Sequence, residues 1–175
     1  HSTVLADDLE RGKLDIAFIC RQQNTDLESK LVAREPLFVF MPSDHRLARH
    51  KAIDPHDLVG EKFIGISEIP RALRAVVSNY LKRTGIELTP HLEIDNVAMA
   101  LSAVASTRGV ALLPATAEHF LTWSVVSRPL KGETPTIDLV VAYHKANTSP
   151  ILRTFLSRID DLTTGKPIKA RDLQT

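Results

Sequence analysis

Four short stretches of this 175-residue chain carry side chains suited to holding a ligand. The first is Asn96-Val97-Ala98, which follows Ile94-Asp95 at the end of an expected strand and opens a helix. Asparagine accepts hydrogen bonds from first-turn amides, so Asn96 serves as a helix cap as readily as a ligand contact. The amides and dipole at such a start are worth about 0.3–2 kcal/mol to a carboxylate. The second is Ser67-Glu68, between an expected strand and Pro70. Ser67 can donate to an anion or cap the helix that Pro70 opens, and Glu68 would repel a carboxylate nearby. The third is Arg21-Gln22, just past the apolar run 14–20. A guanidinium there can grip a carboxylate with two parallel hydrogen bonds, or lie in solvent. The fourth is Pro114 with Ala115, either a cleft wall or a plain strand-to-helix junction.

Other chemistry finds less support. The seven histidines are His1, His45, His50, His56, His91, His119 and His144. None has a metal-ligand spacing with a supporting motif, and they read as surface residues. The chain lacks a G-x-S-x-G elbow, a phosphate loop and a dinucleotide fingerprint. Cys20 is the sole cysteine, which rules out an internal disulfide framework and fits a reducing, cytoplasmic compartment. No neighbour in sequence activates its thiol. The expectation is therefore a non-enzyme with no catalytic residue, no metal and no cofactor.

These residues need a scaffold, and the hydrophobic pattern supplies one. Helices are expected over 3–12, 70–82, 97–108, 115–121 and 149–161, and a single helical turn over 53–58. Strands are expected over 14–20, 62–66, 88–94, 110–113, 124–129 and 137–143, with two more pieces in 29–41 split by Glu35-Pro36. The last helix should turn Ile151, Leu152, Phe155, Leu156 and Ile159 inward, and Gly109 should supply the left-handed stop of the helix before it. Residues 163–175 read as a frayed polar tail. Near alternation of strand and helix argues for parallel α/β units. Hydrophobic content of 43%, charged content of 25% and a net charge of +1 are those of a globular protein without a large nucleic-acid or membrane footprint. No run approaches the ~20 apolar residues of a membrane span, and no secretory leader opens the sequence.

Four motifs in order then resemble one family. RGKLDIAF resembles the G-x-L-D-x-A signature of LysR-type regulator effector domains. EPLFVFMPSDHRLA resembles their PL-x(5)-P-x-x-HPLA stretch, with Arg46 in place of the usual proline. IDPHDLVGEKFIGIS resembles the I-x-x-x-DL-x-x-x-x-FI entry to a second lobe, and TRGVALLP resembles G-x-G-V-x-L-LP, with Arg108 in place of a small residue.

The resemblance runs from about Leu5 to Asp160. It implies an α/β fold of the two-lobed periplasmic-binding-protein-like (type 2) class, with a hinge and a cleft between lobes. It assigns 1–61 and 136–175 to lobe I and 62–135 to lobe II. It implies a small effector, aromatic or an organic acid, held by Arg21, Gln22, Ser67, Glu68, Asn96, Val97, Ala98 and Pro114. It further implies a homodimer, tetrameric in the full-length protein, that meets DNA only through a winged helix-turn-helix with no counterpart in these residues. The family's first strand-helix-strand has none either, so lobe I is expected to be incomplete and to expose unpaired sheet backbone. A solute-binding protein of a transporter shares this fold and is the alternative reading.

Overall fold

The computed structural model describes residues 2–22, 26–67 and 70–164. Four α-helices and seven strands make it up. They are α1 (Ser2–Glu10), β1 (Ala17–Cys20), β2 (Leu27–Pro42), β3 (Phe63–Ile66), α2 (Arg71–Thr84), β4 (Pro90–Ile94), α3 (Val97–Thr107), β5 (Val110–Pro114), β6 (Val125–Pro129), β7 (Thr136–His144) and α4 (Pro150–Thr164). Short 3₁₀ turns span Arg46–Arg49, Pro55–Leu58 and Ala115–Phe120. Residues 165–175, most of the expected tail, lie outside the described residues.

The strands run in the order β1-β7-β2-β5-β3-β4, with β6 also on β2. The pieces expected on either side of Glu35-Pro36 form one 16-residue strand. Its first part pairs antiparallel with β7 as far as Pro36↔Thr136, and from Leu37↔Pro114 onward it pairs with β5 and β6. Pro36 sits at the handover, where a residue without an N–H takes nothing from a ladder, and Leu37 N–H donates to the Pro135 carbonyl at 2.9 Å. One group is thus β1, β7 and residues 27–36, backed by α1 and α4. The other is residues 37–42 with β3, β4, β5 and β6, backed by α2 and α3. The expected boundary at 61–62 differs from this division. Residues 37–61 hydrogen-bond and pack with the second group because Leu37, Val39, Phe40 and Met41 find their partners on β5 and β6.

Only β3–β4 and β3–β5 are parallel, and the other four pairings are antiparallel. The expectation of parallel units therefore holds for the segment 62–114 alone, where helices α2 and α3 carry the chain back between strands. Caps follow local chemistry. Asp54 accepts from His56 N–H ahead of Pro55, and Gly85 ends α2 in the left-handed region at φ 68°. α3 ends differently from expectation. Arg108, not Gly109, takes the left-handed conformation, at φ 59°. Gly109 is needed for room instead, since a Cβ there would lie 2.5 Å from the Lys62 carbonyl oxygen.

In α2 the apolar face buries Leu73, Val77 and Tyr80, with Val76 and Leu81 partly covered. In α4, among residues 150–159, whose burial is described, only Leu152 and Ile159 are buried, whereas Ile151 is 82% exposed and Phe155 39%. The expected inward stripe is therefore only partly covered, because α4 has too little surface beneath it. β1 lies at the end of the strand order. Part of its outer backbone is nevertheless occupied, for Cys20 N–H donates to Ser2 Oγ at 3.0 Å and Gln22 Nε2 donates to the Cys20 carbonyl at 2.8 Å. No helix among the described residues is long and apolar enough to cross a membrane.

Candidate functional site

An inner cavity of about 280 Å³ lies between the two groups of strands. Its walls come from strand ends and helix starts. The first group supplies Ser2 and Thr3 of α1, Cys20 and Gln22 at the end of β1, and Ile137 of β7. The second supplies Ile66 at the end of β3, Pro70 to Leu73 at the start of α2, Asp95, Asn96 and Val97 around the start of α3, and Pro114 at the end of β5. Strand C-termini facing helix N-termini are where open α/β sheets keep ligands. The walls are mainly apolar, with a few polar groups to orient an occupant, as small-molecule sites are.

The structure brings Gln22, Asn96, Val97 and Pro114 together at this cavity. Asn96 is occupied as a cap: its Oδ1 accepts from Met99 N–H at 2.9 Å, and its Nδ2 donates to Asp95 Oδ1 at 3.2 Å. Of the two uses open to Asn96 in the sequence, its polar atoms are committed to the first. The helical ladder of α3 begins with Ala100 N–H donating to the Asn96 carbonyl, so Val97 stands in the first turn at the cavity wall.

Arg21, Ser67 and Ala98 do not line the inner cavity. The Arg21 guanidinium is held by the first group's own residues. Its Nε donates to Asp138 Oδ2 at 3.2 Å and its Nη1 to Ser29 Oγ at 3.0 Å, while Arg34 also lies 3.5 Å from Asp138. Ser67 N–H donates to the Ile94 carbonyl, tying β3 to β4. Ala98 is exposed, one residue past the wall. Glu68 lies outside the described residues.

Sequence reading missed Ser2, Thr3, Cys20 as wall residues, Ile66, Arg71 to Leu73 and Ile137. A signal existed for Arg71, which follows Pro70 at the helix start, but its direction depends on how α2 sits against α1. A second, outer groove of about 650 Å³ adjoins the cavity and shares Thr3, Gln22, Arg71, Ala72 and Ile137 with it. Asp7 and Glu10 of α1, Asn79 of α2, Arg21 and Asp138 are the charged and amide side chains among the rest of its lining.

Burial pushes the Cys20 thiol up from its ordinary pKa, with the Ser2 hydroxyl opposing weakly, so it stays protonated at neutral pH. His45 pairs with Glu61 at 3.1 Å and His56 with Asp54 at 3.1 Å, away from the cavity. Among the described residues, no three His, Cys, Asp or Glu side chains are grouped to hold a metal.

Comparison with known proteins gives the geometry a context. The LysR substrate binding domain family matches residues 1–163. The Hca operon transcriptional activator HcaR of Escherichia coli K12 is 26% identical over 162 residues, 91% of this chain and 55% of that protein. The chain thus spans about half the length of the curated relatives it matches. The effector-binding domain of BenM, solved with its effector benzoate, superposes with a TM-score of 0.79 at 22% identity, covering 94% of this chain and 78% of that one. The effector-binding domain of QuiR, in complex with shikimate, gives 0.81 at 19% identity, covering 93% and 77%.

Proposed function

Because the chain belongs to the LysR substrate binding domain family, we propose that it is the effector-sensing part of a transcriptional regulator and binds one small organic acid in the inner cavity. The observation that carries this reading is the composition of the cavity wall. Residues of both strand groups line it, and the chain passes between the groups only twice, at Pro36-Leu37 and in the return from β6 to β7. A ligand touching both walls has different contacts when the groups shift relative to each other. That differential affinity is what an allosteric ligand requires. Coupling of about 1–3 kcal/mol would bias how attached DNA-binding units sit on DNA in a dimeric or tetrameric full-length protein.

The cavity volume suits one ring or a short branched chain. Benzoate and shikimate, the ligands of the two similar domains, are both single-ring acids. Titration calorimetry with benzoate, cinnamate, muconate and shikimate tests the reading. One binder at one site per chain is expected, with a rise in unfolding free energy of about 2.7 kcal/mol at one hundred times its dissociation constant. A panel of small aromatic and alicyclic acids that leaves both heat and unfolding midpoint unchanged would sink it.

A further inference from the structure

The inner cavity has one cationic side chain on its wall, Arg71, and one anionic, Asp95. Asp95 already accepts from the Asn96 amide. Arg71 forms no hydrogen bond or ion pair with any described residue, although nearly every other arginine around the cleft does. Arg21 is held by Asp138 and Ser29, Arg34 lies beside Asp138, and Arg74 donates to the Ile66 carbonyl at 3.2 Å. Arg71 also stands at the first position of α2, whose cap, Pro70, offers no side-chain acceptor. The amides of that first turn carry the positive end of the helix dipole, and Arg71 adds its charge at the same end of α2.

Position adds a second constraint. Arg71 lines both the inner cavity and the outer groove, so it sits at the seam between them. Beyond the seam, Asp7 and Glu10 lie three residues apart on α1, one helical face, and neither pairs with a described residue. An anionic group held at the seam meets Arg71. A second anionic group, reaching outward into the groove, meets the two carboxylates of α1 and Asp138, while the groove's Arg21 is already held by Asp138 and Ser29.

We propose that Arg71 is the specificity-determining residue of the effector site, selecting monocarboxylates over their neutral analogues, and that Asp7 and Glu10 exclude dicarboxylates. The carboxylate binds at the seam with its apolar body inward against Ile66, Leu73, Val97 and Ile137. Effectors with a hydroxyl or amide tail in the groove are accepted, since Thr3, Gln22 and Asn79 offer hydrogen-bonding partners there. This rests on the sensing function proposed above and specifies its ligand class.

Binding of matched pairs tests it: benzoate against benzamide, cinnamate against cinnamamide, and 4-methylbenzoate against terephthalate, by calorimetry on the whole chain. Hydrogen bonds to charged groups set the scale, discounted for an exposed arginine, so the acid of a pair should bind about tenfold tighter than the amide. In Arg71→Gln that ratio should fall to near one, with the unfolding midpoint unchanged. Arg71→Lys should keep most of the preference. Asp7→Asn with Glu10→Gln should raise terephthalate affinity several-fold and leave 4-methylbenzoate alone. A preference for acid that survives Arg71→Gln overturns the role of Arg71 while leaving the sensing function standing. If no compound binds the unsubstituted chain, both fall together.

Discussion

Along β2 the two halves of one strand meet different surroundings. None of residues 27–36 is buried, whereas Leu37, Val39, Phe40, Met41 and Pro42 all are. The same division runs through the whole molecule. The larger buried cluster holds 27 described residues, all from the second group but Ile137 of β7, and includes Phe40, Ile64, Tyr80 and Leu112. That of the first holds six: Ala6, Leu9, Ala17, Ile19, Val140 and Ala142. The first group also wears apolar side chains outside. Phe18 is 50% exposed and meets Phe155 edge-on at 6.4 Å, with Ile151 nearby in sequence on the same helix and open to solvent. Because stability follows buried apolar surface, the second group is expected to be the more stable wall of the cleft and the first the less stable.

Core truncation should expose the contrast most strongly. Phe40→Ala in the large cluster is expected to cost about 3–5 kcal/mol in chemical denaturation. Leu9→Ala in the small cluster should cost only about 2–3 kcal/mol, because α1 can settle into a sparsely filled space. Equal costs would mean that the two groups are equally well packed.

Next in size is Gly109→Ala. The added Cβ meets the Lys62 carbonyl, which accepts from Val110 N–H and joins β5 to β3. A tightly packed wall cannot yield there, so a loss of about 1–3 kcal/mol is expected. A neutral result would show the second group to be softer than its burial implies.

Acid should give the smallest effect, one pair in each group. Hydrogen bonding from Lys145 lowers the Asp26 pKa below its ordinary value, and hydrogen bonding from Arg108 does the same for Asp44. A folded-state pKa below the unfolded one contributes stability above the unfolded value and loses it as pH falls through the folded value. Both contributions are therefore complete at neutral pH and are lost progressively as pH falls below about 4. The carboxylates are fully exposed, so Asp26→Asn and Asp44→Asn should barely change the acid midpoint of unfolding. A marked shift for either would reveal an ion pair stronger than its exposure allows.

Most helix and strand positions were legible in the sequence because they follow from period and caps within a few residues. α2 with its apolar face and Gly85, the 3₁₀ turn after Asp54, and the buried β5 all follow local rules. The family motifs were legible for the same reason, being short and ordered. Errors arose where a residue's role depends on distant chain. Glu35-Pro36 reads as a break between strands and is a handover within one strand, because β7 and β5 approach from opposite sides. Ile151 and Phe155 read as core, but Ile151 lies in solvent and Phe155 is partly exposed against Phe18, because the surface beneath α4 is small. Gly109 reads as a left-handed cap and is a point of close approach, with Arg108 bearing the positive φ.

The site divides in the same way. Asn96, Val97, Gln22 and Pro114 follow strand ends or helix starts, and that local logic placed them at the cavity wall. Arg21 was an equally reasonable candidate, but its guanidinium is taken by Asp138, 117 residues along the chain. Arg71 drew no attention in sequence, yet it stands at the seam of cavity and groove. Periodicity, capping and motif order, all set by neighbours in the chain, were the sequence's to determine. Only the tertiary structure decided which arginine is paired and which lines the cavity, because Coulomb and hydrogen-bond energies depend on separation in space, which strand pairing fixes.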